Sequence, residues 1–526
     1  MNDARIRFLR AGFVLLFAAI GARLVWIQVV ESADLREQAR AQSRMRQLLS
    51  APRGSILAAD GSVLASDAPG GGREWPWGST ALPVLGMVGR DGSGLMGLEY
   101  QWDRKLRGIA GWRVARRTGR GQPWPAFEQE GSGALAGYSL VTTLHPGLQV
   151  EAEKVLTETV QRHGAKGGVA VVMDAATGDI VAAASVPSPA NRMEMAKGRV
   201  DIGLVHRTYE PGSTFKAVTL AAALDNHAVD LATRINVTPS WDPGDGHRAI
   251  RDAHPNTGVF DVKWCLVQSS NVCFAQIAGR VGAEKLYKTA RDLGFGTGSG
   301  VDLPGEETGI LRTVDQWSMR TLPTLAIGQE VTATPLQMAA AYAALANGGV
   351  LMRPRLVKAV LDQAGDTVER VPVRPVRQAV SGGTAKDVLA ALESVVQEGT
   401  GRLAMLPGLR VLGKTGTSQK VDAASGRYYQ DRFMASFIGI VMSRPSALVC
   451  VVMVDDPTLN GHTGGLVAAP AFSRIARFAV DDPSLPWGAG SPDARGSMVA
   501  WLKGGKGARV DTASKAMELA GSEAPG

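Results

Sequence analysis

Apolar positions along the chain fall into three textures. The first is a run from Ala11 to Ala22 that resumes as Leu24–Val30, broken by Arg23 and preceded by Arg5, Arg7 and Arg10. At 1.5 Å per residue, about twenty helical residues cross a ~30 Å hydrocarbon core. No small-residue cleavage site follows the run, so it reads as an uncleaved anchor rather than a signal peptide. Arginines at its start are retained on the cytoplasmic side, which puts everything after about Ser32 outside the cell membrane. Arg23 is a costly charge, seven residues from Val30, and is expected to snorkel to the outer face beside Trp26. No second run of this length follows, so a single-pass protein is expected.

The second texture is short and continuously apolar. Gly168–Asp174 and Ile180–Ser185, separated by a turn at Gly178, predict a buried hairpin, and Met434–Val441 with Ala447–Val454 predicts another across Arg444-Pro445. The third has helical spacing. Leu148–His163 places Leu148, Ala152, Val155, Leu156 and Val160 on one face, and Val467–Val480 has similar spacing. Further helices are expected over Phe215–Leu224, Val262–Ala278 and Thr334–Asn347. Strands at both ends with helices between them predict an α+β fold: one antiparallel sheet assembled from distant segments and packed between helical layers.

Residues 32–144 have little helical periodicity. A polar stretch ends at Ser50, a hairpin turns at Asp60-Gly61, and Gly70-Gly-Gly72 and Gly92-Ser-Gly94 mark loops. Arg113, Arg116, Arg117 and Arg120 read as a solvated basic face. The segment Ser484–Gly526, rich in Gly, Ser and Ala, reads as a flexible tail. The expected organisation is an anchor over 1–33, a small β-rich domain over 34–148, a large domain over 149–483 and the tail.

Composition narrows the functional classes. The chain of 526 residues is 45% hydrophobic and 20% charged, which excludes a disordered protein or a coiled coil. Its net charge of +8 favours anionic neighbours, yet no nucleic-acid-binding module is present and no nucleic acid is expected as a partner. Cys265 and Cys273 lie eight apart in one expected helix, about 12 Å of rise, too far to bridge. All three cysteines therefore read as buried thiols. His247, Asp252, His254 and Cys265 are metal-binding residue types, but their spacing fits no ligand set, so neither a metal nor a cofactor is expected.

Three motifs occur in order: Ser213-Thr-Phe-Lys216, Ser269-Ser-Asn271 and Lys414-Thr-Gly-Thr417. A lone Ser-x-x-Lys is weak, because an N-capping serine near a surface lysine arises readily by chance; three motifs in order are specific. Pro211-Gly212 before Ser213 and the apolar run after it place Ser213 at a helix start, with Lys216 one turn up the same face. Burial and the positive end of the helix would keep Lys216 uncharged, able to take the Ser213 proton. Ser269 and Asn271 fall in a polar break, Gln268–Asn271, expected as a loop between helices that faces the cleft, with Ser269 relaying a proton and Asn271 holding substrate or Lys216. Lys414, Thr415 and Thr417 follow a short strand, Val411–Gly413, and would hold a terminal carboxylate, while Gly416 allows close approach. The backbone N–H groups of Ser213 and Thr417 are the expected oxyanion pair.

With these motifs the chain resembles the class B penicillin-binding proteins, most closely the FtsI-type transpeptidases of cell division, with an elongation or spore-cortex transpeptidase as the alternative. Further segments carry the likeness: Arg53-Gly-Ser-Ile, Gly97-Leu-Glu-Tyr, Tyr209–Lys216, Ile250–Pro255, Asp302–Glu306 and Thr332–Gln337. Ala58-Ala-Asp-Gly61 departs from the family's Asp-Arg-Asn-Gly turn, and the segment near Gly70 is shorter than the family's usual pedestal head. The resemblance implies acylation of Ser213 by a D-Ala-D-Ala stem peptide on glycan strands made from a lipid-linked precursor, and transfer to a neighbouring amine. It also implies β-lactams as inhibitors, and a SEDS-family glycan polymerase with other divisome membrane proteins as partners. A β-lactamase is disfavoured, because no Glu-x-x-x-Asn supplies a base for water between Asn271 and Lys414. A pure sensor or scaffold is disfavoured by the intact motifs.

Overall fold

The computed structural model describes residues 3–487 except 118–122, 126–130, 188–200, 245, 247–248, 423–424 and 444–445. Arg120, His247, the Arg444-Pro445 link and the segment 488–526 lie outside the described residues. Two compact units are present: Met1–Pro52 with Arg107–Gly137, and Arg53–Leu106 with Tyr138–Gly526.

In the first unit, helix α1 (Asp3–Val29) is one continuous, exposed rod, long and apolar enough to cross a membrane. Its Arg23 and Trp26 side chains both reach the carboxylate of Glu31, at 2.9 Å each. The charge expected to snorkel beside Trp26 is thus also paired with Glu31 at the end of the helix. Ser32–Ser43 is a second helix within a stretch expected to lack one, and Arg44–Leu49 pairs antiparallel with Gly111–Arg117.

The second unit is built on a five-stranded antiparallel sheet. Its strands are β1 (Gly167–Asp174), β2 (Ile180–Val186), β3 (Arg410–Val421), β4 (Tyr428–Met442) and β5 (Leu448–Asp455), in the order β2-β1-β5-β4-β3. Both expected hairpins form, and β5 pairs with β1 to join segments almost 280 residues apart. Side chains alternate between two cores. Val169, Val171, Ile438, Ile440, Val449 and Val451 face helices α3 (Lys216–Asp225), α6 (Pro335–Ala346) and α7 (Gly382–Gln397). Ala170, Val172, Phe437, Val441, Cys450 and Val452 face α2 (Pro146–Arg162) and α8 (Gly464–Asp481). A sheet covered on both faces needs apolar residues at every position, which is why its strands read as continuous runs.

Two expectations change. The helix expected over 262–278 is broken into α4 (Val262–Val267) and α5 (Asn271–Val281). Folding back at the break brings Cys265 and Cys273 to a Cα separation of 5.8 Å, and they form a disulfide. The argument from helical rise failed because the rise is not continuous. Cys450 remains a buried thiol. The start of the expected tail is also not free: Leu485 and Trp487 are buried against α2 and α8.

Away from the sheet, Arg53 and Glu99, from two of the segments that carry the family likeness, meet in a buried ion network. Arg53 Nε donates to Glu99 at 2.7 Å and Arg73 Nε to the other oxygen at 2.8 Å, so each buried charge is paired.

Candidate active site

Ser213 lies in a short 3-10 turn, Gly212–Phe215, that runs directly into α3. The turn is anchored from below. Tyr342 on α6 donates its hydroxyl to Thr214 O at 2.7 Å, and Gly212 N donates to Gly328 O at 3.0 Å. A side chain at Gly328 would strike Gly212 O, so glycine is required for that approach.

Lys216, the first residue of α3, is fully buried, and four polar atoms surround its Nζ. They are Ser269 O at 2.6 Å, Asn271 Oδ1 at 2.8 Å, Ser213 Oγ at 3.1 Å and Ser269 Oγ at 3.3 Å. The first two accept only. A neutral amine has two N–H groups for them and one lone pair left, which faces Ser213 Oγ–H. Burial first, and the Lys414 charge second, hold the Lys216 pKa well below its usual value; Asp252 opposes them.

The polar break at 268–270 positions the second motif. Ser269 sits at φ 58°, a left-handed conformation in which its carbonyl and hydroxyl both reach Lys216. Ser270 caps α5, accepting from Cys273 N at 3.1 Å and donating to Asp252 at 2.7 Å. Asp252 also accepts from Val272 N, and Asn271 Nδ2 donates to Arg251 O. Two helices, a capping serine and a carboxylate therefore fix where Ser269 and Asn271 stand.

The third motif lies inside β3, not after a strand as expected; β3 continues to Val421 at the sheet edge. Lys414 is fully buried, with Nζ 2.9 Å from Ser269 Oγ and 3.1 Å from Thr415 O, and burial lowers its pKa to about 7. Ser269 Oγ thus bridges both lysines. Thr415 shares a 2.7 Å hydrogen bond with Thr400, and Thr417 Oγ1 accepts from Gly464 N. A Cβ at Gly416 would come within 2.4 Å of Ser436 Oγ and 2.9 Å of Pro211 O, so the close approach this glycine permits is to the nucleophile's own segment.

All three motifs border one cleft of about 540 Å³. Ser213, Ser269, Asn271, Thr415 and Thr417 line it, together with residues the sequence did not single out: Thr400, Arg402, Leu403, Gln329 and Thr463. Gly399-Thr-Gly401 and Thr463-Gly-Gly465 were the available signals, each a hydroxyl between or before glycines where backbones crowd. Asp252 and His254 also reach the cleft, but Cys265, the remaining described residue of the considered metal set, has its sulfur bonded to Cys273. No cluster of three or more metal-ligating side chains exists among the described residues.

A family model described as the penicillin binding protein transpeptidase domain matches residues 168–477, which contain all three motifs. The chain belongs to this family. It is 36% identical over 414 residues to stage V sporulation protein D of Bacillus subtilis, covering 78% of this chain and 64% of that protein. It is 33% identical over 443 residues to penicillin-binding protein PbpB of Mycolicibacterium smegmatis, covering 80% and 66%. The chain thus spans just under two thirds of the length of these curated relatives. Penicillin-binding protein 3 of Mycobacterium tuberculosis matches in structure with a TM-score of 0.74 and 31% identity, over 84% of this chain and 98% of that one; the complex solved with aztreonam matches equally well. The fold described above is therefore shared with penicillin-binding protein 3.

Proposed function

We propose that this protein is a serine D,D-transpeptidase that cross-links peptidoglycan stem peptides through an acyl-enzyme on Ser213. The observation that carries the proposal is the Lys216 amine, buried, its pKa lowered by that burial, and 3.1 Å from Ser213 Oγ. In acylation, Ser213 Oγ gives its proton to Lys216 Nζ and bonds to the carbonyl carbon of the penultimate D-Ala. The backbone N–H groups of Ser213 and Thr417 receive the developing oxyanion. Ser269, between the two lysines, passes a proton to the departing D-Ala nitrogen as the peptide bond breaks. An amine of a neighbouring stem peptide then attacks the ester, and the reverse proton path frees Ser213. Thr415 and Thr417 would hold the terminal carboxylate, with the Lys414 charge behind them.

The membrane setting belongs to the same proposal: an anchor over residues 1–33 with a cytoplasmic N-terminus, a pedestal over 34–148 and a catalytic domain over 149–483 outside the membrane. Septal synthesis during division, beside a SEDS-family glycan polymerase and other divisome membrane proteins, is the role we favour. Similarity to a stage V sporulation protein supports a second reading, action in sporulation. Incubation of the full chain with a fluorescent penicillin should place the label on Ser213, and label on another residue, or on Ser213→Ala, overturns the mechanism. A fluorescent fusion that marks the division septum separates the first role from the second.

A further inference from the structure

The only covalent cross-link among the described residues closes around the second catalytic motif. Cys265 ends one turn before the break between α4 and α5, Cys273 lies one turn after it, and both sulfurs are fully buried. Between them stand Gln268, Ser269 and Ser270, with Ser269 in a left-handed conformation that a serine adopts only at a cost. Ser269 O, Ser269 Oγ and Asn271 Oδ1 make three of the four polar contacts to Lys216 Nζ. We propose that the Cys265–Cys273 bridge is a positioning element of the active site, holding the turn so that Ser269 and Asn271 keep their contacts with Lys216.

The other restraints on this turn are hydrogen bonds: the Ser270 cap and its bond to Asp252, Val272 N to Asp252, Asn271 Nδ2 to Arg251 O, Lys414 Nζ to Ser269 Oγ, and the backbone bonds of Ser269 N to Leu266 O and Ser270 N to Cys265 O. Without the bridge α4 and α5 can part at the break, the Ser269 backbone can relax out of its left-handed conformation, and water can reach the amine. The charged groups facing that amine are Lys414 on β3, which disfavours its charge, and Asp252 before α4, which favours it. Hydration removes the dominant cause of its neutrality, so protonation would then set in at higher pH.

This inference rests on the transpeptidase reading, and the experiment separates the two. Full-length protein in detergent is acylated with a fluorescent penicillin across pH 5–9, as wild type, as Cys265→Ser/Cys273→Ser, and as wild type reduced with a phosphine and alkylated. Wild type that takes no label defeats both ideas. With labelled wild type, the expected result is a second-order acylation rate reduced roughly tenfold or more near neutral pH, with the acid limb of the profile moved to higher pH. A destabilised but correctly built site would lower the melting temperature without moving that limb. Should the double serine variant not fold, Cys265→Ala/Cys273→Val and the reduced wild type carry the test. An unchanged rate and pH profile in a folded, bridge-free protein, or faster acylation after reduction, overturns the inference.

Discussion

A serine hydroxyl attacks a carbonyl only when a base removes its proton, and Lys216 can serve only while uncharged. Its neutrality is set by burial and by the nearby Lys414 charge, so acidification should remove it. Acylation by a fluorescent penicillin is expected to slow as falling pH puts a proton on Lys216; a rate that rises on acidification contradicts the assignment. Lys216→Ala should lower acylation by about 10²–10⁴-fold, the range for loss of a positioned base. Lys414 gives a stability prediction as well. Its pKa is about 7 in the folded protein, against about 10.4 unfolded. Between those values the unfolded chain holds a proton that the folded one lacks, so the folded state gains stability as pH rises from about 7 to about 10.4. Lys414→Met should flatten that slope in urea unfolding.

At the scale of elements, the break between α4 and α5 decides the geometry of the second motif. Residues 262–278 have helical spacing on either side of the polar break Gln268–Asn271; Ser270 and Asp252, eighteen residues apart, cap a new helix after it. Ser270→Ala should cost about 1–2 kcal/mol in urea unfolding, the worth of a lost N-cap, and should slow acylation by freeing Ser269. Strand β3 makes the complementary case. Gly416 sits where a methyl group would meet Ser436 Oγ and Pro211 O, and Gly416→Ala should destabilise by about 1–3 kcal/mol, as overpacking does. The same substitution pushes β3 from the Ser213 turn, so acylation should fall in a variant that still melts cooperatively.

For the molecule as a whole, the sheet is closed by chain segments distant in sequence, and the last described residues seal one of its helical layers. Trp487 is buried, donates its indole N–H to Ser446 Oγ at 3.3 Å and packs edge-on to His145. Trp487→Ala should cost about 3–5 kcal/mol, the range for removing a buried aromatic, read as a lowered denaturation midpoint. A chain cut after Ser484 should show a similar loss. Nothing local in Ser484–Trp487 announces this, because a short Gly- and Pro-flanked segment has no periodicity to read.

What the sequence determined by itself is what repeats or recurs over short distances. A continuous apolar run gives α1, runs of β-branched residues give the two hairpins, 3.6-residue spacing gives α2 and α8, runs apolar all round give α3 and α6, and three ordered motifs give the chemistry of a serine and a lysine. Tertiary structure alone decided how those motifs meet. Residues 213, 269 and 414 converge because α3, the α4–α5 break and an edge strand pack against one another, and no local pattern encodes that packing. The disulfide needed the chain to fold back at the polar break, and no local pattern gives that angle. The charge state of Lys216 needed burial, and burial is a property of the neighbours that surround a side chain after folding, most of which are far away along the chain.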